Sequence, residues 1–259
     1  MCFICDRARA KSLSRRAFLG GAATAGTVLA VTAVADGATR PAAAQSLPPE
    51  GTGSRGRRIV IRNGTILSMD PTTGDHARAD ILIEGSRILA IGADIDAADA
   101  AVIDAAGRIV MPGFIDTHHH QFETALRSYL ADGLLYSDGK PHGTPNYIEH
   151  ILGKLAPVYR QQDVHINELF GPLSQLDAGV TTVLDISQIH HSPEHSDAAV
   201  AGLSDAGRRT AFGYFEGAGA GMRYPQDARR LKQRYFSSSD QLMTMVMGGE
   251  FYLPIFEDS

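Results

Sequence analysis

From Pro112 to the C-terminus the sequence alternates between short runs of strand-forming residues and longer segments with helical periodicity. Residues 180–186, 210–215 and 242–247 are compact and largely apolar, the pattern of strands buried on both faces of a parallel sheet. Between them, 161–178 places Val164, Ile166, Leu169, Phe170, Leu173 and Leu176 close to a 3.6-residue period, with Gly179 as a stop. A second helix is expected from Pro193 through Ala206, and a charged amphipathic one over 226–236. With 114–117 as a first strand, this makes about four strand–helix repeats, an α/β arrangement around a parallel sheet.

The region before Pro112 follows a different rule. Ile59, Ile61 and Ile66 alternate with polar residues, Asn63-Gly64 reads as a turn, and a second alternating run over 81–91 is interrupted by Glu84-Gly85. A further pair of short strands, 101–103 and 108–110, flanks Asp104-Ala105-Ala106-Gly107. Residues 58–111 are therefore expected to form a small antiparallel β unit.

The N-terminus has the order of an export signal. Arg7, Arg9 and Lys11 lead into Ser14-Arg15-Arg16-Ala17-Phe18-Leu19. An uncharged, weakly hydrophobic stretch follows to Ala35, and Ala42-Ala43-Ala44 offers a cleavage site. Residues 1–44 thus resemble a twin-arginine signal peptide, with an uncleaved membrane anchor as the alternative; 45–57 read as a linker. The implied location is periplasmic or secreted, with no stable membrane insertion once the signal is removed. Both cysteines, Cys2 and Cys5, fall in the signal, so the mature chain has neither disulfides nor thiolate ligands. The whole chain carries 24 basic and 29 acidic residues. Its net charge of −5 leaves no electrostatic footprint for nucleic acid.

The chemistry concentrates at Met111-Pro112-Gly113-Phe114-Ile115-Asp116-Thr117-His118-His119-His120. On a strand, His118 and His120 project to one face and His119 to the other. Two neutral imidazoles on one face suit zinc, iron or another first-row divalent ion. An isolated H-x-H is more often a polar strand end, so the motif needs its context.

That context is P-G-F-I-D-T-H-x-H after alternating strands, a segment containing Leu126-Arg127, and then Gly179-Val180-Thr181-Thr182-Val183-Leu184-Asp185. Together these residues resemble the amidohydrolase superfamily, within it the cytosine and guanine deaminase and triazine chlorohydrolase branch. Ser192-Pro193-Glu194-His195-Ser196-Asp197-Ala198 and Ala206-Gly207-Arg208-Arg209 are similar to that branch as well. The resemblance implies a (β/α)8 TIM-type barrel whose first strand carries the metal-binding histidines, with a β-sandwich built from segments before and after the barrel. It also implies a metal-activated water attacking a carbon bonded to nitrogen or chlorine in a small molecule. A complete barrel of this kind needs about 250 residues. Residues 112–259 are expected to be its N-terminal half and 58–111 the N-terminal part of the sandwich. The remaining metal ligands and the catalytic acid or base are expected beyond Ser259.

Several further residues carry two readings. Asp185, closing its strand, could orient a metal-bound histidine or serve as a cap. His190, His191 and His195 follow the second strand, where one could touch substrate or all could be solvated loop residues. Gln121 follows the H-x-H and is a candidate for the same surroundings, whereas Arg127 is expected in a salt bridge on the first helix. Residues 132–146 read as a long loop over the site.

The expectation is thus a metal-dependent hydrolase of non-peptide carbon–nitrogen bonds. It has His118 and His120 as metal ligands, Asp185, Gln121 and His190 as supporting or substrate residues, zinc favoured over iron, and a small-molecule substrate. A homo-oligomer is left open. The chain by itself is expected to be inactive and poorly stable; the competing reading is a non-catalytic periplasmic metal-binding or partner-binding fragment.

Overall fold

The computed structural model describes residues 54, 56–130, 133–139, 145–217 and 224–249. The expected signal peptide (1–44), most of the linker and parts of the 132–146 loop lie outside the described residues. No helix among the described residues is long and apolar enough to cross a membrane. The described residues divide into two compact units, one of those up to residue 60 with 82–89 and 96–103, the other of 61–81, 90–95 and those from 104 onward.

The N-terminal strands are β1 (Arg58–Ile66), β2 (His76–Glu84), β3 (Arg87–Gly92), β4 (Ala101–Asp104) and β5 (Ile109–Val110). They form one sheet in the order β3-β2-β1-β4, with β5 also pairing β1. Two expectations change here. Asn63-Gly64 is not a turn, because β1 continues through it. Asn63 adopts a left-handed φ of 63°, its backbone N–H donates to Asp80 Oδ1 at 3.0 Å, and Arg78 donates to its side-chain oxygen at 2.7 Å. A Cβ on Gly64 would stand 2.7 Å from Val110 Cγ2, so the glycine permits the close approach of β5. Nor do β4 and β5 form a hairpin with each other: both pair β1, and β5 runs parallel to it with Thr65 opposite Ile109. Short strands gain more from a long, already ordered neighbour than from each other.

The second sheet holds β6 (Phe114–His119), β7 (Val180–Ser187), β8 (Arg209–Phe215) and β9 (Met243–Gly248). All neighbouring pairs are parallel and the spatial order is the chain order. Helices α1 (Gln161–Asp177), α2 (Pro193–Ala206) and α3 (Ala228–Tyr235) provide the crossovers. A parallel pair cannot be joined by a tight turn, so each strand must be followed by such an element. The core gathers Phe122, Val164, Ile189, Val200, Leu203, Phe212, Tyr214, Leu231 and Phe236, with the Phe212 and Phe236 rings stacked at 5.7 Å.

Two elements differ from the sequence reading. The first helix is a single 3-10 segment, Gln121–Leu126, that ends before Arg127. After the 132–146 loop comes an unanticipated helical stretch, a π-helix at Ile148–Leu155 followed by a 3-10 turn at Ala156–Val158. The burial of α1 follows its apolar stripe only in part, with Val164 fully buried. Glu168 and Asn167 are buried, whereas Ile166, Phe170 and Leu173 remain about half exposed. The inward face serves a polar network described below.

Candidate metal centre

Strand β6 ends in an irregularity, its register with β7 shifting between Asp116 and His119. Asp116 manages this end. Its Oδ1 accepts the His118 backbone N–H at 3.2 Å, and its Oδ2 lies 3.0 Å from His119 Nδ1 and accepts from Gln175 Nε2 at 2.9 Å. His119 is thereby drawn toward Asp116, a contact that the irregular strand end permits, since residues three apart on a regular strand face opposite sides. His118 and His120 turn toward each other: their Nε2 atoms are 3.2 Å apart and their ring centroids 5.0 Å. Burial, together with the charge of His118, pushes the His120 imidazole down to about 4. His120 is therefore neutral at pH 7 and keeps a lone pair for a cation.

The donor set fits part of a coordination sphere. Two zinc–nitrogen bonds of about 2.0–2.1 Å at a tetrahedral angle separate the nitrogens by about 3.3 Å. The same spacing also serves an imidazole–imidazole hydrogen bond, which a binding measurement separates. Among the described residues no third His, Cys, Asp or Glu joins the pair.

The histidines open onto a cavity of about 430 Å³, further lined by Glu123, Leu126, Leu130, Tyr147 and Ile151. Tyr147 Oη donates to Glu123 Oε1 at 2.7 Å, and its ring lies 6.4 Å from that of His120. Burial raises the Glu123 carboxyl, and the Tyr147 hydrogen bond opposes that rise. Neither residue stood out in the sequence. The available sign was an acid three positions after the H-x-H, which becomes meaningful only once the 3-10 turn aims it at the cavity.

The other sequence candidates lie elsewhere. Gln121 is fully buried and turned away from the cavity; its backbone N–H donates to Asp185 Oδ1 at 3.1 Å and its Nε2 to Gln175 at 3.0 Å. Asp185 is fully buried against Glu168 and Arg208. Its Oδ1 accepts from Gln121 and its Oδ2 has no partner, so neither oxygen bonds an imidazole of the pair. His190 is sealed in the core. Its ring nitrogens engage Ser196 Oγ at 3.0 Å and the Ser187 carbonyl at 2.9 Å, and burial pushes it down to about 3. His191 and His195 bond the backbone carbonyls of Ala156 and Tyr159. Among the described residues Arg127 makes no salt bridge: its guanidinium stacks over Phe170 at 5.1 Å and reaches Ser174 Oγ at 3.3 Å.

A chain-ordered parallel sheet with paired histidines at the end of its first strand is similar in fold to solved triazine hydrolase and adenosine deaminase structures, and curated deaminases and a dihydroorotase are among the proteins the chain resembles. Among curated relatives, it is 35% identical over 156 residues to a 5-methylthioadenosine/S-adenosylhomocysteine deaminase of Thermococcus kodakarensis, covering 60% of this chain and 33% of that one. It is 51% identical over 98 residues to a dihydroorotase of Syntrophotalea carbinolica, covering 34% and 23%. The chain spans about a third or less of the length of the curated relatives it matches. Among solved structures, a triazine hydrolase of Arthrobacter aurescens superposes with a TM-score of 0.61 at 24% identity, over 74% of this chain and 46% of that one. A zinc-bound adenosine deaminase of Xanthomonas campestris gives 0.54 at 18% identity, over 75% and 43%. No family model matches the chain.

Proposed function

We propose that this chain supplies the first, metal-binding strand and the adjoining substrate cavity of a hydrolase that acts on non-peptide carbon–nitrogen bonds of small heterocyclic molecules. His118 and His120 would hold the ion, zinc in preference to iron, in line with the zinc of the Arthrobacter and Xanthomonas structures. The observation that carries this reading is the 3.2 Å approach of the two Nε2 atoms at the rim of a cavity. When bound, such an ion supplies Lewis-acid activation of water near neutral pH. The chain's own residues orient and neutralise. Asp116 fixes the backbone of His118, burial keeps His120 unprotonated, and Leu126, Leu130 and Ile151 exclude water from part of the cavity wall.

In this reading residues 112–259 are the first half of a (β/α)8 barrel, 58–111 contribute to a β-sandwich, and 1–44 direct twin-arginine export to the periplasm. The parallel strand order and the uncovered apolar side chains of β6 and α1 support the half-barrel: Phe114, Ile115, Ile166, Phe170 and Leu173 would pack against its other half. The test is zinc or cobalt titration of the full chain and of its His118→Ala and His120→Ala variants, with circular dichroism as the control for folding. Loss of metal binding in both variants with unchanged dichroism is expected. Equal metal content in wild type and both variants would reject the assignment.

A further inference from the structure

Of the charged residues lining the cavity, Glu123 is the one whose charged end remains uncommitted to the outer surface, since the Arg127 guanidinium is drawn outward over Phe170. The carboxylate stands on the 3-10 turn directly after the histidine pair, and Asn167 Oδ1 holds that turn by accepting the Ala125 N–H at 2.6 Å. Tyr147 reaches across from the π-helical side and donates its hydroxyl to Oε1, which fixes the plane of the carboxylate. An ionised carboxylate offers about four acceptor positions, and Tyr147 uses one. The cavity wall beside it is apolar, with Leu126, Leu130 and Ile151. A flat ring with N–H donors along one edge satisfies both surfaces: its faces meet hydrocarbon and its donor edge meets oxygen. The volume of about 430 Å³ suits a single small heterocycle.

We propose that Glu123 is a specificity-determining residue that takes the N–H edge of an amino-substituted nitrogen heterocycle, with Tyr147 as the positioning residue that holds its carboxylate. This deepens the functional reading above and rests on it. Side-by-side ring N–H and exocyclic amine donors can engage both carboxylate oxygens, the geometry in which charge-assisted hydrogen bonds are strongest. A tertiary-amine analogue of the same shape presents no donor and leaves the carboxylate desolvated and unpaired.

The test measures binding, not turnover. The full chain, in dilute solution and with and without zinc, is titrated with 2-aminobenzimidazole and with 1-methyl-2-(dimethylamino)benzimidazole, which lacks N–H donors. Wild type is expected to favour the first by about tenfold or more. Glu123→Gln should lose that preference to within about twofold while its zinc content is unchanged, and Tyr147→Phe should weaken 2-aminobenzimidazole by about threefold to tenfold. Equal affinity of wild type for the two probes, no binding of either, or full discrimination by a folded Glu123→Gln variant overturns the proposal. If Glu123→Gln fails to fold, Tyr147→Phe decides, and an unchanged probe ratio there overturns it too. Zinc content in the His118→Ala and His120→Ala variants is read separately, so failure of the metal assignment is distinguishable from failure of donor recognition.

Discussion

The end of β6 separates two polar clusters that treat their hydrogen-bonding capacity in opposite ways. On one side, His118, His120, Glu123 and Tyr147 face a cavity, with the two imidazole Nε2 atoms turned toward each other and the carboxylate accepting from Tyr147. On the other, Gln121, Gln175, Glu168, Asp185 and Arg208 use their groups on one another without reaching solvent through Glu168, Asp185 or Gln121. Burial raises Glu168 well above the ordinary carboxyl range, the Asp185 charge adds to this, and Arg208 opposes it; Asp185 is itself raised to about 7. As two carboxylates, neither can serve the other, and both Glu168 oxygens and Asp185 Oδ2 would be buried without partners. A single shared proton would pair one Glu168 oxygen with Asp185 Oδ2. What distinguishes the two clusters is that one faces an opening and the other is sealed; the number of polar residues is similar in both.

The largest expected effect is in the sealed cluster. Arg208 is 1% exposed, and its guanidinium donates to Gln175 and faces both carboxyls. Arg208→Ala leaves those carboxyls without their cation and should cost about 3–5 kcal/mol in urea unfolding at pH 7. A loss under about 1 kcal/mol would mean that the cluster is hydrated and that the contrast with the cavity is false.

Glu168→Gln separates burial from charge. Because the folded-state pKa of Glu168 lies above its unfolded value, its contribution to stability is fully present below about pH 4. It declines as pH rises through the folded pKa, since the unfolded chain releases the proton first. Glutamine donates an N–H to Asp185 at every pH. The variant should therefore be flatter than wild type between pH 5 and pH 9, and at the upper end more stable by up to about 3 kcal/mol. Parallel pH profiles for the two proteins would show that the carboxyl pair holds no extra proton.

How much of this was legible follows the same division. Elements whose pattern reports backbone geometry were readable: the helix at Pro193–Ala206 falls where its N-terminal proline and apolar period place it, and β7, β8 and β9 lie within one or two residues of the apolar runs. The pairing of His118 and His120 follows from strand alternation, although the metal they are proposed to hold does not. Illegible were features that depend on a neighbour distant in sequence. Asn63-Gly64 has turn composition, yet Asp80 and Arg78 of β2 hold it as an irregularity within a continuous strand. Helix α1 carries an apolar stripe at Ile166, Phe170 and Leu173, but Glu168 faces inward because Asp185 and Arg208 wait there. His190 and Gln121 looked like site residues because of their distance from a motif. Distance along the chain does not say on which side of a strand end a side chain emerges. Glu123 and Tyr147, 24 positions apart, are joined by a turn and a π-helix that no periodic pattern announced.

The wall between the two clusters can itself be stressed. A methyl group on Gly171 of α1 would lie 2.3 Å from Gln121 Oε1 and 2.5 Å from Thr124 Oγ1. Both atoms are side-chain ends, so some relaxation is available, and Gly171→Ala should cost about 1–2 kcal/mol, the lower part of the overpacking range. Chemical-shift changes at Gln121 and His120 should accompany it if the 3-10 turn transmits the displacement. Changes confined to α1 would mean that the two clusters are mechanically independent.

The smallest effect belongs at the outer edge of the cavity. Arg127 is exposed and stacks on Phe170, with one hydrogen bond to Ser174. Its Coulombic partners are solvent and an aromatic face, so Arg127→Ala should cost only about 0.5–1 kcal/mol. The cost should change little between low and moderate salt, because no carboxylate is lost with it. A steep salt dependence would reveal an ion pair. A larger loss, accompanied by self-association, would instead identify Arg127 as a cover for the apolar stripe of Ile166, Phe170 and Leu173. Its aliphatic stem can shield hydrocarbon while its charge stays in water. The two outcomes separate a residue that merely borders the cavity from one that keeps the uncovered face of α1 in solution.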